Sequence, residues 1–281
     1  MLLEPNRPGA RREWPQAVVF DHDGVLVDSI GPDLTACRRL FAEHGAPLPA
    51  ERWAREVCGN TDGYRGLFRL LTDPVPGADG DPPPAPGAAY GPADVPPAPP
   101  GTTPVTGTAA VTRAARPTPA LLRTRLGELW RELLVPANVP LLPGVRELLT
   151  RLAGHGVRLA VASSADRHWV ERMLDHHGLA PLFDAVVGGD DVARRKPAPD
   201  VYLEALARLD TAPEHALAVE DSLTGVEAAR AAGLRVVAVP TPYTRSLDYG
   251  RAHATLTGLD LLTDALLPRI LREDDHAPDA P

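Results

Sequence analysis

Hydrophobic residues fall into two textures along this chain. From residue 144 onward, short apolar runs alternate with stretches whose apolar positions recur every three or four residues. The runs 157–162, 185–187, 216–219 and 235–239 predict buried strands. Residues 144–155 carry Val145, Leu148, Leu149 and Leu152 on one helical face. They predict a helix, as do 167–177, 199–209 and 223–232, with Pro199 suited to a first turn and Gly233 to a stop. Strands separated by helices of roughly ten residues predict right-handed βαβ units and a parallel sheet covered on both faces.

Upstream, residues 17–20 form one more apolar strand, cut off from that alternation. Helical spacing follows at 34–44, 52–71 and 121–134. This arrangement predicts an α-helical cap inserted after the first strand, with both of its ends returning to that strand as a two-stranded hinge. Residues 74–119 stand apart, with 14 of the 32 prolines and 6 glycines in 46 residues. Such a stretch buries too little apolar surface to offset its ordering entropy, so it is expected to be a disordered spacer within the cap. No aromatic-basic pattern accompanies it to favour an extended Pro-rich docking strand. The expected fold class is α/β, a Rossmann-like parallel-sheet core with an inserted α-helical cap domain. The expected division is 15–30 with 141–270 for the core, 31–140 for the cap interrupted at 74–119, and 271–281 for a flexible tail.

At 281 residues the chain is long enough for both units, and 44% hydrophobic with 23% charged residues is a soluble, globular balance. A net charge of −8 argues against a nucleic-acid surface, which needs a cationic field. Residues 1–14 lack an apolar stretch and no run of about 18 apolar residues occurs, so neither a secretory signal nor a membrane span is expected. Cys37 and Cys58 have no metal-ligand spacing and cannot build a disulfide framework. A cytoplasmic monomer is the expectation. One count is unusual: of 29 basic residues all but Lys196 are arginine. A position that keeps lysine against that bias suits a compact ammonium with rotatable donors.

In open parallel sheets, ligands sit beyond the carboxyl ends of the strands. Four such places here are polar: Asp21-His22-Asp23-Gly24, Ser163-Ser164, Lys196-Pro197 and Glu220-Asp221-Ser222. Clustered carboxylates need a cation among them, and hard oxygen ligands select Mg²⁺. An aspartate can attack phosphorus, an ammonium and a hydroxyl can hold the phosphoryl oxygens, and a second acid can move the proton.

These segments, extended to Asp21 through Ser29, Ala162 through Ser164, Lys196 through Asp200 and Glu220 through Gly225, resemble the four motifs of the haloacid dehalogenase superfamily. The chain is similar to the branch with a helical cap after the first strand, which includes β-phosphoglucomutase and phosphoglycolate phosphatase. The resemblance implies a phosphomonoester phosphatase acting on a small phosphorylated metabolite, with Mg²⁺ as cofactor and neither nucleic acid nor membrane as partner. It implies Asp21 as the nucleophile that forms an aspartyl-phosphate and Asp23 as general acid/base. Ser163, Ser164 and Lys196 would hold phosphate. Asp21, Asp23 through its backbone carbonyl, Glu220 and Asp221 would hold the metal. Asp28 and Ser29 read as loop and cap residues, and His176 and His177 as a helix end. His22 points away from its Asp neighbours if the strand continues, and reads as a residue that packs or that supports the site indirectly. Asp190 and Asp191 read as turn residues that lie near enough for an indirect role.

The phosphosugar mutases of this branch are the alternative. They place a histidine about a dozen residues beyond the nucleophile and an arginine after the cap loop, which residues 57–61 resemble. Here those neighbourhoods hold Asp33 and Asp62, leaving Arg55 and Arg65 to contact a second phosphate. Deleting residues 79–112 is expected to leave soluble expression and phosphate release intact; loss of soluble protein would show that the stretch packs on the cap.

Overall fold

The apolar runs become a six-stranded sheet. β1 (Ala17–Phe20), β2 (Arg158–Ala162), β3 (Ala185–Val187), β4 (Ala216–Glu220), β5 (Arg235–Ala238) and β6 (Ala254–Thr255) lie in the order β3-β2-β1-β4-β5-β6, every pairing parallel. This computed structural model describes residues 14–58, 63–73 and 116–272. Alternate residues of β1 serve opposite faces. Val18 and Phe20 enter one core, and Ala17 and Val19 the other. Two covered faces are why the strands read as unbroken apolar runs rather than as alternation.

Between β1 and β2 the chain forms α1 (Ile30–Glu43), α2 (Ala50–Glu56), α3 (Tyr64–Thr72) and α4 (Pro119–Leu133). They bury a hydrophobic cluster of their own, including Leu34, Phe41, Trp53, Leu67, Leu122 and Leu126. Each such side chain contributes ~1.5–3 kcal/mol on burial, so the four helices have a packed interior separate from the sheet. The connections to the sheet run side by side and antiparallel. Asp28 N donates to Pro140 O at 2.9 Å and Leu142 N to Leu26 O at 3.0 Å, with Val27 bridged to Leu141.

Three boundaries differ from the sequence pattern. The helix expected at 34–44 starts at Ile30, because Gly31 and Pro32 fall in its first turn, where a missing N–H costs nothing. The helical stretch expected at 52–71 is two helices, with Val57 closing the first and Gly63 opening the second. Thr118 opens α4, its hydroxyl accepting from Leu121 N at 3.3 Å with Pro119 in the first turn. Most of the Pro-rich stretch, 74–115, lies outside the described residues, as do 59–62 of the cap loop.

After the cap, α5 (Val145–Gly154) and α6 (Arg167–His176) cover one face of the sheet with Leu149, Leu152, Val170 and Met173. α7 (Asp200–Arg208) and α8 (Leu223–Ala231) cover the other with Val201, Tyr202, Val226 and Ala229. α9 (Leu267–Arg272) returns to the first face through Leu267 and Ile270. The segment expected as a tail from 271 therefore begins inside a helix, and 273–281 lie outside the described residues. β6 and α9 carried no pattern: two and six residues are too short to display a period.

Candidate active site

With β1 flanked by β2 and β4, the residues that follow these three strands meet at one rim. Asp21 follows β1, Ser163 and Ser164 follow β2, and Glu220 ends β4 with Asp221 next. The loop after β3 brings Lys196 between them. Its Nζ donates to Asp21 Oδ1 and to Glu220 Oε1, each at 2.6 Å. Its side chain is 1% exposed, against 8% for Asp21 and 0% for Glu220. Burial works against the lysine's charge, but the two facing carboxylates outweigh it and hold the ammonium. The single lysine thus stands where a buried cation is required, 4.9 Å from the centre of the Tyr202 ring.

One ammonium does not balance the acids around it. Asp21, Glu220 and Asp221 present oxygens within 4.8 Å of one another. Burial drives the Asp21 carboxyl up to about 7, with Lys196 pulling against the rise and Glu220 adding to it. Asp221 is pushed well above the usual carboxylate range, by burial first and by Asp21 and Glu220 after it. The two oxygens of Glu220 are heavily used. Oε1 takes Lys196 and the Tyr202 hydroxyl at 2.5 Å, and Oε2 takes Asp221 N, Ser222 N and Ser222 Oγ. Asp221 Oδ2, by contrast, is buried with no hydrogen-bond partner among the described residues. An orphaned buried oxygen beside further carboxylates fits a hard divalent cation such as Mg²⁺.

Backbone features keep this corner open. Gly24, at φ +90°, lies so close that a Cβ would stand 2.2 Å from Asp221 Oδ2. A Cβ on Gly225 would meet the Glu220 carboxylate at 2.0 Å. The Asp221 carbonyl accepts from Thr244 Oγ1 at 3.3 Å and from the Tyr249 hydroxyl, so the loop after β5 anchors it.

Asp23 points its side chain elsewhere. Its Oδ1 accepts from Ser29 Oγ at 2.6 Å and from Trp169 Nε1 at 3.0 Å, and a quarter of the side chain, 25%, stays exposed. Burial opposes its ionisation, yet the neighbouring His22 ring and the hydrogen bonds from Ser29 and Trp169 outweigh it and bring the carboxyl down to about 2. His22 is fully buried, and its Nδ1 lies 3.1 Å from Asp23 Oδ2. It faces its neighbour rather than turning away as the strand alternation suggested, because the chain leaves the β1 pairing at Asp21. Ser29 also differs from expectation: it precedes α1 without a side-chain cap bond, its hydroxyl spent on Asp23. Asp28 takes the turn role expected of it, accepting from Gly31 N. Ser163 Oγ accepts from Ala165 N at 3.0 Å, which leaves its proton to donate. Asp190 accepts from Arg167 N, Asp191 from Gly188 N, and His177 Nε2 pairs with Val139 O, each a structural use.

Between this rim and the cap lies a cavity of about 250 Å³. Asp21, Asp23, Ser163, Ser164 and Lys196 line one end, and Asp33, Val57, Cys58, Tyr64 and Trp130 the other. Asp33 Oδ1 accepts from the Tyr64 hydroxyl at 2.9 Å and from Trp130 Nε1 at 2.7 Å. Burial lifts its carboxyl to about 6 against these two donors. Arg55 and Arg65 are exposed and do not line the cavity. Gly59, Asn60, Thr61 and Asp62 lie outside the described residues.

A profile of the haloacid dehalogenase-like hydrolases matches residues 112–239. The chain is 32% identical to protein CbbY of Cereibacter sphaeroides over 254 residues, covering 89% of this chain and 92% of that protein. To protein CbbY of Rhodobacter capsulatus it is 41% identical over 142 residues, which span 50% of this chain and 63% of the relative. Among solved structures, CbbY from Rhodobacter sphaeroides in complex with xylulose 1,5-bisphosphate superimposes with a TM-score of 0.54 at 27% identity, covering 87% and 94% of the two chains.

Asp33 permits a check of its surroundings by stability. A carboxyl lifted from 3.8 to about 6 binds its proton more tightly in the folded chain. Its charge is therefore a liability that is fully present above pH 6 and gone below pH 4. Asp33→Asn keeps an acceptor for Tyr64 and Trp130 and removes the charge. It is expected to stabilise the protein by on the order of 1 kcal/mol at pH 8, roughly 2–4 °C in Tm, and by little at pH 4. Equal gains in thermal melts at both pH values would rule out charge burial as the cause.

Proposed function

The chain belongs to the haloacid dehalogenase-like hydrolases, and from that membership we propose a Mg²⁺-dependent phosphomonoester phosphatase that works through an aspartyl-phosphate. The observation that carries the reading is Lys196 bridging Asp21 and Glu220 beside the orphaned Asp221 oxygen, at one end of the cavity between rim and cap. An ester phosphate entering there meets Lys196 and the Ser163 hydroxyl as donors. Asp21 is the carboxylate at the centre of the rim, and its oxygen forms the new bond to phosphorus as the ester oxygen leaves.

Mg²⁺ held by Asp21, Asp221, the Asp23 carbonyl and Glu220, the last directly or through water, would screen the charge between nucleophile and phosphate. Glu220 is also the group that fixes Lys196, so its loss would disturb the phosphate grip as well as the metal. Asp23 exchanges the proton. Its carboxyl starts low, held by His22, Ser29 and Trp169, and a phosphate dianion arriving beside it raises its affinity for a proton. Protonated, Asp23 hands that proton to the leaving oxygen. Ionised again, it takes one from the water that attacks the aspartyl-phosphate, which returns Asp21 and releases inorganic phosphate.

A mutase would need a cationic grip on a second phosphate. Neither Arg55 nor Arg65 reaches the cavity lining, which supports hydrolysis over isomerisation.

Phosphate release from a panel of small esters, with and without Mg²⁺, tests the reading. Asp21→Asn is expected to abolish turnover, and Asp23→Asn to lower it by about 10²–10⁴-fold. Lys196→Arg is expected to be poorly active although charge is kept, since a planar guanidinium does not fit between two carboxylates 2.6 Å from an ammonium. Full activity in Asp21→Asn, or turnover that ignores Mg²⁺, would overturn the proposal.

A further inference from the structure

The end of the cavity that would receive the leaving group has an unusual charge character. Among the described residues, Lys196 is the one cation on the lining, and it is already engaged by Asp21 and Glu220. The opposite end carries Asp33, and Asp23 stands between the two. Among the described residues, four donors around that end are spent on acids. The Tyr64 hydroxyl and the Trp130 ring N–H both go to Asp33, and the Ser29 hydroxyl and Trp169 ring N–H both go to Asp23. What faces an incoming leaving group is apolar wall, from Ile30, Val57 and Leu134, together with carboxylate oxygen that accepts and does not donate.

A hydroxyl of the substrate finds an acceptor in that arrangement. A second phosphate, or a carboxylate, finds like charge in a half-buried setting and, among the described residues, no unengaged hydroxyl or ring N–H to offset its lost hydration. The cavity, about 250 Å³, has room for a small ester. We propose that Asp33 selects the substrate class, admitting monophosphates whose other end carries hydroxyl groups and rejecting bisphosphates and phosphorylated acids. This deepens the phosphatase reading and rests on it, since the phosphate end is placed by Asp21 and Lys196. It would set this chain apart from the relative solved in complex with xylulose 1,5-bisphosphate.

Binding separates selection from turnover. Calorimetry in Mg²⁺ on Asp21→Asn compares three ligands: sorbitol 6-phosphate, xylulose 1,5-bisphosphate and phosphoglycolate. The polyol monophosphate is expected to bind at least about tenfold more tightly than either dianion-plus-anion ligand. Adding Asp33→Asn is expected to shrink that gap by about tenfold, because the asparagine keeps an acceptor and drops the charge. Equal or tighter binding of xylulose 1,5-bisphosphate or phosphoglycolate to the protein with Asp33 intact overturns the proposal, as does a gap indifferent to Asp33→Asn. The comparison with Asp33 intact stands even if the double variant fails to fold. Phosphate release by the wild-type protein on the same three esters reports separately on the phosphatase reading: selective binding without release from any of them would overturn hydrolysis and leave the selection by Asp33 intact.

Discussion

The constraint on which the site rests is a charge imbalance in a buried space. Asp21, Glu220 and Asp221 crowd their oxygens together where water cannot screen them, and the chain supplies a single ammonium to hold them. Isolated buried carboxylates would neutralise or move apart. Here the sheet order opposes separation, because β1 is paired with β4 residue for residue as far as Phe20 and Val219. The crowded carboxyls of Asp21 and Asp221 answer by holding their protons more tightly, and the orphaned Asp221 oxygen marks where a further cation would relieve them.

That imbalance divides labour among acids that look alike in sequence. Glu220 spends its oxygens on Lys196, Tyr202 and the turn that opens α8, so it organises its neighbours. Asp221 keeps an oxygen in reserve. Asp23, two residues beyond Asp21, has its carboxyl turned toward the cap and held ionised by a serine, a tryptophan and a histidine. Asp33, on the first cap helix, is held by aromatic donors and lifted instead of lowered. Environment, not residue type, sets what each can do.

Much of this was legible along the chain. Strands β1 to β5 are buried on both faces and so read as apolar runs within a residue of their observed ends, and the residues after them announced the rim. Lys196 stood out because everything else basic is arginine. What stayed hidden depends on side chains meeting across long separations. Trp169 reaches Asp23 from α6, 146 positions away, and Tyr249 reaches the Asp221 carbonyl from a loop. No local period encodes either contact. Tyr202 lies six residues past the lysine on a helical face that reads simply as core, and only its hydroxyl on Glu220 reveals a second use. Ser29 looked like a helix cap because the local pattern cannot see the acid that claims its hydroxyl.

Gly24 has a consequence beyond its turn. It performs no chemistry, yet any side chain there would occupy the space against Asp221 Oδ2. Inherited variation that puts any side chain at this codon would therefore crowd the site while leaving every acid, hydroxyl and amine in its motifs untouched. A survey of natural alleles that scored only reactive residues would pass such a chain as sound.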